Sequence, residues 1–420
     1  MTIKNTVFLL LICIPFFSCE VNDDISAISE SFDKKKKLYI PPLIDSKMHP
    51  EGVPISIQNG NHEFFDGIPS ITKGYNGNYL GPTIRMYRNQ DTRMLFTNNI
   101  GEVTTVHGHG LHVAGDRDGG PQARINPGST WDVILPIRQE ASTNWYHPHL
   151  MGKTAEQVHA GLAGFYIIED DNSQSLNIPK EYGVDDIPLA IQDRTFINGQ
   201  MVTYPKGQME DFFEPTLVVN GTIDPYVSVP KGNVRLRLLN ASNARSYEFF
   251  IKGNKPFYKI ATEGGFLEKP VSLTRLSMAP GERNEIVVDM SKGNVELMAY
   301  YLKKKSKHGS PSDQKSRVLY LKVDKSKKAK NKNLSHYLNK IHPHNENDVI
   351  KTRHFDLEGM EINGVKMDMN VINERVKKGD LEKWVISSGR HPFHMHGTSF
   401  YILSINGSPP LPEDQGWKDV

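Results

Sequence analysis

Three short His-x-His pairs constrain this chain more than any other feature: His107-Gly108-His109, His147-Pro148-His149 and His394-Met395-His396. A β-strand reverses side-chain direction at every residue, so each pair places two imidazoles on one face, roughly 6–7 Å apart along the strand. That separation is too long for one small ion and suits two neighbouring ions or a cluster. His391 is odd-spaced from both His394 and His396, so it points to a separate site. One His-x-His alone is commonly a satisfied core or surface histidine. Three pairs, each beside an aromatic residue or a glycine and each expected on a strand, point to metal. Neutral imidazole suits copper, zinc, iron or nickel, so ligand softness leaves the metal open.

The rest of the composition sets limits. With 420 residues, 38% hydrophobic and 23% charged, the chain is ordinary globular protein with room for two to three domains. The net charge of +2 excludes a strongly basic nucleic-acid binder. The two cysteines, Cys13 and Cys19, both lie near the N-terminus, so the body offers neither a disulfide nor a thiolate ligand. Lys4 followed by an apolar run from Val7 to Phe17 and then Ser18-Cys19 describes an export signal, too short for a transmembrane helix. Ser18-Cys19 resembles a bacterial lipoprotein site, with Cys19 the acylated residue. Residues 20–37 read as a polar tether, which gives an exported, periplasmic or membrane-anchored protein.

From Leu38 to Asp170 the pattern is all-β, with strands expected at Thr92–Thr97, Trp131–Ile137 and Gly164–Glu169 and turn signals such as Asn126-Pro127-Gly128 between them. Residues 171–188 read as a connecting loop. A second β unit, residues 171–335 with that loop, carries expected strands at Val234–Asn240, Asn284–Asp289 and Arg317–Val323 but no His-x-His pair, and is expected to be structural. A third unit spans residues 350–420, with strands expected at Asn363–Asp368, Leu381–Ser387 and Ser399–Ser404, and is shorter than its predecessors. Lysines crowd between Lys303 and Lys332. They read as a solvated linker or as an electrostatic patch for an anionic surface. His336, His342 and His344 follow in a polar linker and read as incidental.

Val106-His107-Gly108-His109-Gly110, Trp145-Tyr146-His147-Pro148-His149, Gly161-Leu162-Ala163-Gly164 and His391-Pro392-Phe393-His394-Met395-His396-Gly397 resemble the multicopper oxidases, from about Tyr75 to the end. Asp116-Arg117-Asp118-Gly119-Gly120-Pro121-Gln122, Gly152-Lys153-Thr154 and Gly416-Trp417-Lys418-Asp419 are similar to the bacterial copper-efflux cuprous oxidases, relatives of laccases and bilirubin oxidases. The resemblance implies an all-β fold of three cupredoxin-like Greek-key sandwiches, the third incomplete in these 420 residues. It implies copper as cofactor, and dioxygen and a small reducing substrate as reactants. His107 and His394 would hold type 2 copper. His109, His147, His149 and His396 would hold the type 3 pair, and His391 would be a ligand of the type 1 copper that takes electrons from substrate. Asp118 matches an acidic residue that handles protons, a role suited to a carboxylate because oxygen reduction consumes protons; as a residue of a turn before Gly119-Gly120 it has a plainer reading.

Three departures qualify that picture. Gly108 stands where the family usually has tryptophan, which is expected to loosen the centre. Ser387-Ser388-Gly389-Arg390 lacks the Asp and Met that bind Cu(I) in the copper-efflux group, and no methionine-rich insert is seen, so phenolic and other organic donors are expected over cuprous ions. The family's His-Cys-His motif is absent from these 420 residues. Without its thiolate no intense absorption near about 600 nm and no oxygen turnover are expected of them, and an open third domain is expected to be poorly soluble. The alternatives are a non-catalytic periplasmic scaffold of the same fold and a copper-binding module. Seven histidines retained in the three motifs argue against the scaffold.

Overall fold

The computed structural model describes residues 36–208, 211–302, 311–329, 333–341, 344–388 and 392–420. Its elements are almost all strands. The first sandwich faces one sheet, in the order Leu43–Asp45, Thr83–Tyr87, Gly164–Glu169, Ser142–His147 and His107–His109, against a second of Ile68–Tyr75, Val53–Phe65, Gln90–Asn98 and Thr130–Ile137. Alternation makes these strands two-faced. In Gln90–Asn98 the side chains of Thr92, Met94, Phe96 and Asn98 turn inward. They meet Val133, Leu135 and Ile137 of the antiparallel partner strand, while Ile134 between them is left in solvent. Each such aliphatic side chain contributes about 1.5–3 kcal/mol on burial.

The second sandwich packs a seven-stranded sheet containing Asp186–Arg194, Asn233–Asn240 and Arg283–Asp289 on a five-stranded sheet containing Tyr226–Lys231, Pro311–Lys328 and Val295–Leu302. Leu236, Leu238, Phe249, Ile286, Leu297 and Leu319 lie in its core. The expected connecting loop at 171–188 is more ordered than the sequence suggests. Asp170 caps a short helix, Asp171–Ser175, and the strand Asp186–Arg194 has already begun inside the expected loop.

A seam of buried charge joins the two sandwiches. Arg237 donates to both carboxylate oxygens of Asp186 (2.8 Å each), to Thr143 Oγ1 (2.7 Å) and to Glu285 (3.1 Å). Arg235 pairs with the same Glu285. Phe64, Tyr79, Trp145, Phe165, Val218 and Leu239 form an apolar layer beside it.

Residues 351–420 are more open. Lys351–Glu358 pairs in parallel with Glu382–Ser388, and Phe355 is the buried hydrophobic residue of that pair. Met360, Val365, Met367, Val371 and Ile372 face solvent. Of the expected strands here, Asn363–Asp368 shrinks to Val365–Lys366 and Ser399–Ser404 to Phe400–Tyr401. Short two-residue ladders satisfy few backbone groups and gain their order from what they dock against. For Phe400–Tyr401 that is Trp417–Lys418.

Candidate metal centre

The centre begins at the edge of the first sandwich. His107–His109 pairs antiparallel with Ser142–His147, and the register sets His107 directly opposite His147. Period-two alternation then decides which side chains meet: Tyr146 turns into the core, donating to Pro82 O at 2.8 Å, while Trp145 and His147 share the other face and stack at 4.0 Å. Pro148 has no amide to continue the ladder, and the chain turns so that His149 N donates to Thr105 Oγ1 at 2.6 Å. Ring centroids of His107 and His109 are 5.5 Å apart, and those of His147 and His149 6.1 Å. His107 lies 5.4 Å from His147 and 5.3 Å from His149. The two pairs converge.

The third pair reaches the same place by other means. The sequence suggests a strand, but His394 and His396 lie in a segment without strand pairing. It is held where Met395 N donates to Asp419 O (2.9 Å) and His394 Nδ1 donates to the same oxygen (2.7 Å). His394 stacks on His109 at 3.8 Å and His396 on His107 at 4.1 Å. Six histidines, from residues 107 to 396, thus surround one point.

The hydrogen bonds fix which nitrogen each ring presents. His107 Nδ1 donates to Asp118 O (2.9 Å), His147 Nδ1 to Pro148 O (2.8 Å) and His396 Nδ1 to Asp118 Oδ2 (2.7 Å). The rings of His107, His394 and His396 keep their Nε2 lone pairs for the centre. His109 Nδ1 faces His147 Nε2 at 3.2 Å. Nε2 of His107, His109 and His394 is buried with no hydrogen-bond partner. Leaving a buried polar atom unpaired costs about 1–3 kcal/mol, a cost that a bound cation would offset. Ligand atoms lie within 4.8 Å of one another in three sets: His107, His109 and His147; His107, His394 and His396; and His109, His394 and Asp419. Burial disfavours protonation of His109, His147, His149 and His394. It holds His109 and His147 well below the ordinary imidazole range, and lowers His149 to about 4 and His394 to about 3, so the rings are neutral and ready to ligate at neutral pH.

Two carboxylates brace this shell. Asp118 is buried; burial alone would raise its pKa, but the hydrogen bonds from His107 and His396 prevail and hold it well below the carboxylate range. Its Oδ1 has no partner. Gly119, at φ 75°, makes the turn possible: a Cβ there would sit 1.8 Å from Val106 O. Asp419 approaches His109 Nε2 at 3.5 Å and is clamped by Arg283 through bonds of 2.6 and 2.5 Å. Burial opposes its ionisation and the guanidinium restores it, leaving its pKa lowered. Lys418 beside it is buried on Glu263 (3.0 Å) and Glu282 (2.8 Å). Gly110, at φ 90°, leaves room for the clamp, since a Cβ there would lie 2.3 Å from Arg283 Nη2.

Of the residues singled out from sequence, His107, His109, His147, His149, His394, His396 and Asp118 come together. His391 lies outside the described residues. Gly108 does not leave a gap: the position of its absent Cβ is 2.6 Å from Leu111 Cδ1, so Leu111 fills the space. Arg283 and Asp419 received no role from the sequence. Asp419 sits in a quoted motif, but nothing near Arg283 marks it.

A buried polyhistidine centre braced by carboxylates, at the edge of a cupredoxin-like sandwich, defines a copper protein of the cupredoxin class. Three family models described as multicopper oxidase match residues 56–173, 170–326 and 330–420. The chain is 36% identical to the cell division protein FtsP of Photorhabdus laumondii over 406 residues, covering 94% of this chain and 85% of that one. It is 37% identical to the multicopper oxidase mco of Staphylococcus aureus over 397 residues, covering 92% and 83%. Among solved structures, the laccase-like multicopper oxidase CueO of Ochrobactrum sp. superposes with a TM-score of 0.83 at 36% identity, covering 91% of this chain and 90% of that one. The chain belongs to the multicopper oxidase family, whose cofactor is copper.

Proposed function

We propose that this protein couples one-electron oxidation of a reducing substrate to reduction of dioxygen to water at the six-histidine centre. The observation that carries the reading is that the Nε2 atoms of His107, His109 and His394 are buried without hydrogen-bond partners, and that each of these residues belongs to two of the three candidate ligand sets. His107 and His394 would hold one copper and His109, His147, His149 and His396 the other two. Bound copper supplies the electron transfer to dioxygen, which needs four electrons and four protons per molecule. Asp118 holds His396 through Oδ2 and has no partner at its buried Oδ1, and in this reading it relays protons to the reduced oxygen. Trp145 stacks on His147 at 4.0 Å and lies 5.2 Å from His109, covering one side of the rings. Residues 20–420 contain no cysteine, so they supply no type 1 thiolate.

In this reading the substrates are phenols or other organic donors, because Ser387-Ser388 brings neither a carboxylate nor a thioether before the third motif. The units run over 38–170, 171–335 and 350–420, and the chain is exported, with Cys19 as an acylation site. No helix among the described residues is long and apolar enough to cross a membrane. The FtsP relatives favour a second reading, a division-associated protein without turnover. Copper stoichiometry and oxygen uptake with a phenolic donor, measured on the product of the whole reading frame, separate the two. Copper binding with donor-dependent oxygen uptake supports the oxidase. Copper-loaded protein that takes up no oxygen, or protein that binds no copper, overturns it.

A further inference from the structure

The centre leaves one strongly charged surface unexplained. Tyr226–Lys231 is the edge strand of the five-stranded sheet and pairs in parallel with Pro311–Lys328. Within residues 226–231 and 320–328 stand five lysines, Lys231, Lys322, Lys325, Lys327 and Lys328, against one carboxylate, Asp324. Asp324 is already occupied by Ser326, whose amide and hydroxyl donate to it at 2.9 and 2.6 Å. Lys231, Lys322, Lys325 and Lys328 are exposed. Lys327 donates to Ser228 O at 2.6 Å. Lys231 stands directly opposite Lys328 in the ladder, and like charges facing each other across strands destabilise a sheet. This edge therefore concentrates like charge that its one carboxylate does not balance.

A second observation says which way this surface faces. The chain enters the body on the same edge strand. Lys37 bridges to Tyr226, with Leu38 N donating to Tyr226 O (2.7 Å) and Tyr226 N to Lys36 O (2.9 Å). Lys37 is exposed there as well. The export segment read from the sequence precedes this entry point by a few tens of residues, so the edge that receives the N-terminus is the edge that carries the lysines. A row of cations spread over roughly 20 Å of strand suits a flat polyanionic surface rather than a single small ligand.

We infer that this lysine-bearing sheet edge is a membrane-contact surface that docks the protein on anionic phospholipid headgroups. The inference rests on the proposed export only for which membrane is met, not for the binding itself. Basic residues near an anionic bilayer each strengthen binding about fivefold, and the attraction decays within a Debye length.

Co-sedimentation with vesicles tests it. The full chain carrying Cys19→Ser, so that no acyl chain contributes, is compared on pure phosphatidylcholine and on mixed phosphatidylcholine–phosphatidylglycerol vesicles. The variant adds Lys231→Glu, Lys322→Glu, Lys325→Glu and Lys328→Glu; Lys327 is left alone because its bond to Ser228 is structural. Binding to the anionic vesicles alone, weakened at least a hundredfold by the four reversals and lost at high salt, supports the inference. An unchanged far-ultraviolet spectrum and melting temperature show that the variant is folded. Equal binding to neutral vesicles, or binding unmoved by the reversals, overturns it. So does tighter binding to free polyphosphate or nucleic acid than to vesicles. Because copper loading and oxygen uptake play no part in the readout, its failure is distinct from failure of the oxidase reading.

Discussion

The two halves of the metal centre are built on different physical principles. His107, His109 and His147 sit on paired strands of a sandwich with a closed core, and the ladder register alone sets His107 opposite His147. His394 and His396 lie on unpaired backbone in the open region, and His396 is the more exposed ring. What the third pair lacks in secondary structure it recovers from two carboxylate residues. Asp118 reaches across from the first sandwich to His396, and Asp419, locked by Arg283 of the second, carries His394 on its backbone oxygen. A site between units is thus as firm as the charges at the junction. The first half should tolerate changes at that junction, and the second should not.

The sharpest way to break this comparison is Arg283→Met. It strands the Asp419 carboxylate in a buried site, which costs about 3–5 kcal/mol. Thermal denaturation should show that loss, and the copper-free variant should lose the His394–His109 stacking while the His107–His147 pairing persists by NMR. A drop under about 1 kcal/mol would mean that the junction does not hold the third pair.

Asp118→Asn comes next. The backbone oxygen of Asp118 still anchors His107, which loses only its 3.1 Å contact with Oδ2, whereas His396 loses its one charged hydrogen-bond partner. Loss of such a partner lowers metal affinity about 10–100-fold. A copper titration against a competing chelator should show the weakening, and the double variant with His396→Ala should be little weaker than His396→Ala alone. Additive losses would place the role of Asp118 elsewhere.

Acid should then separate copper-free from copper-loaded protein. His149 and His394 have folded pKa values lowered to about 4 and about 3, against about 6.5 when unfolded. The unfolded chain therefore takes up protons first. Stability is fully present above about pH 6.5 and falls as pH drops from there toward 4. The copper-free protein should lose on the order of a few kcal/mol of stability across that window, read as a falling melting temperature. Copper-loaded protein should hold flat further into acid, because ligated nitrogens have no proton to gain. Parallel curves for the two forms would separate the buried rings from the metal.

How much of this was legible in the sequence follows the same divide. Alternation in Trp131–Ile137 and the buried run Gly164–Glu169 announced the first sandwich, since a strand buried on one side shows its period and one buried on both faces reads as a continuous run. The third pair was visible as a motif but not as a conformation. No strand forms at 394–396 because tertiary hydrogen bonds from Asp419, not a neighbouring strand, satisfy that backbone. The Arg283 clamp was invisible for a related reason: it joins residues 136 apart in sequence, and a lone arginine on a strand gives no local sign of its partner. The strand expected at Asn363–Asp368 shrinks to Val365–Lys366, because β-propensity there has no packed face behind it.

The smallest effect expected tests the one departure from the family inside the rigid half. Gly108 is buried on the strand His107–His109, and its amide donates to Asp118 O at 3.0 Å. A Cβ added there would meet Leu111 at 2.6 Å from Cδ1 and 3.1 Å from Cγ. The clash is with the end of a side chain rather than with backbone, so Leu111 can turn aside, but Leu111 is itself buried in the first core and has little room. Gly108→Ala should therefore cost about 1–2 kcal/mol by overpacking, read as a modest drop in melting temperature, with copper affinity unchanged. Gly108→Ala combined with Leu111→Ala opens the space the added methyl needs, so the two losses should be less than additive. A Gly108→Ala variant that kept full stability but lost copper would show that backbone freedom at 108, rather than packing by Leu111, shapes the first pair.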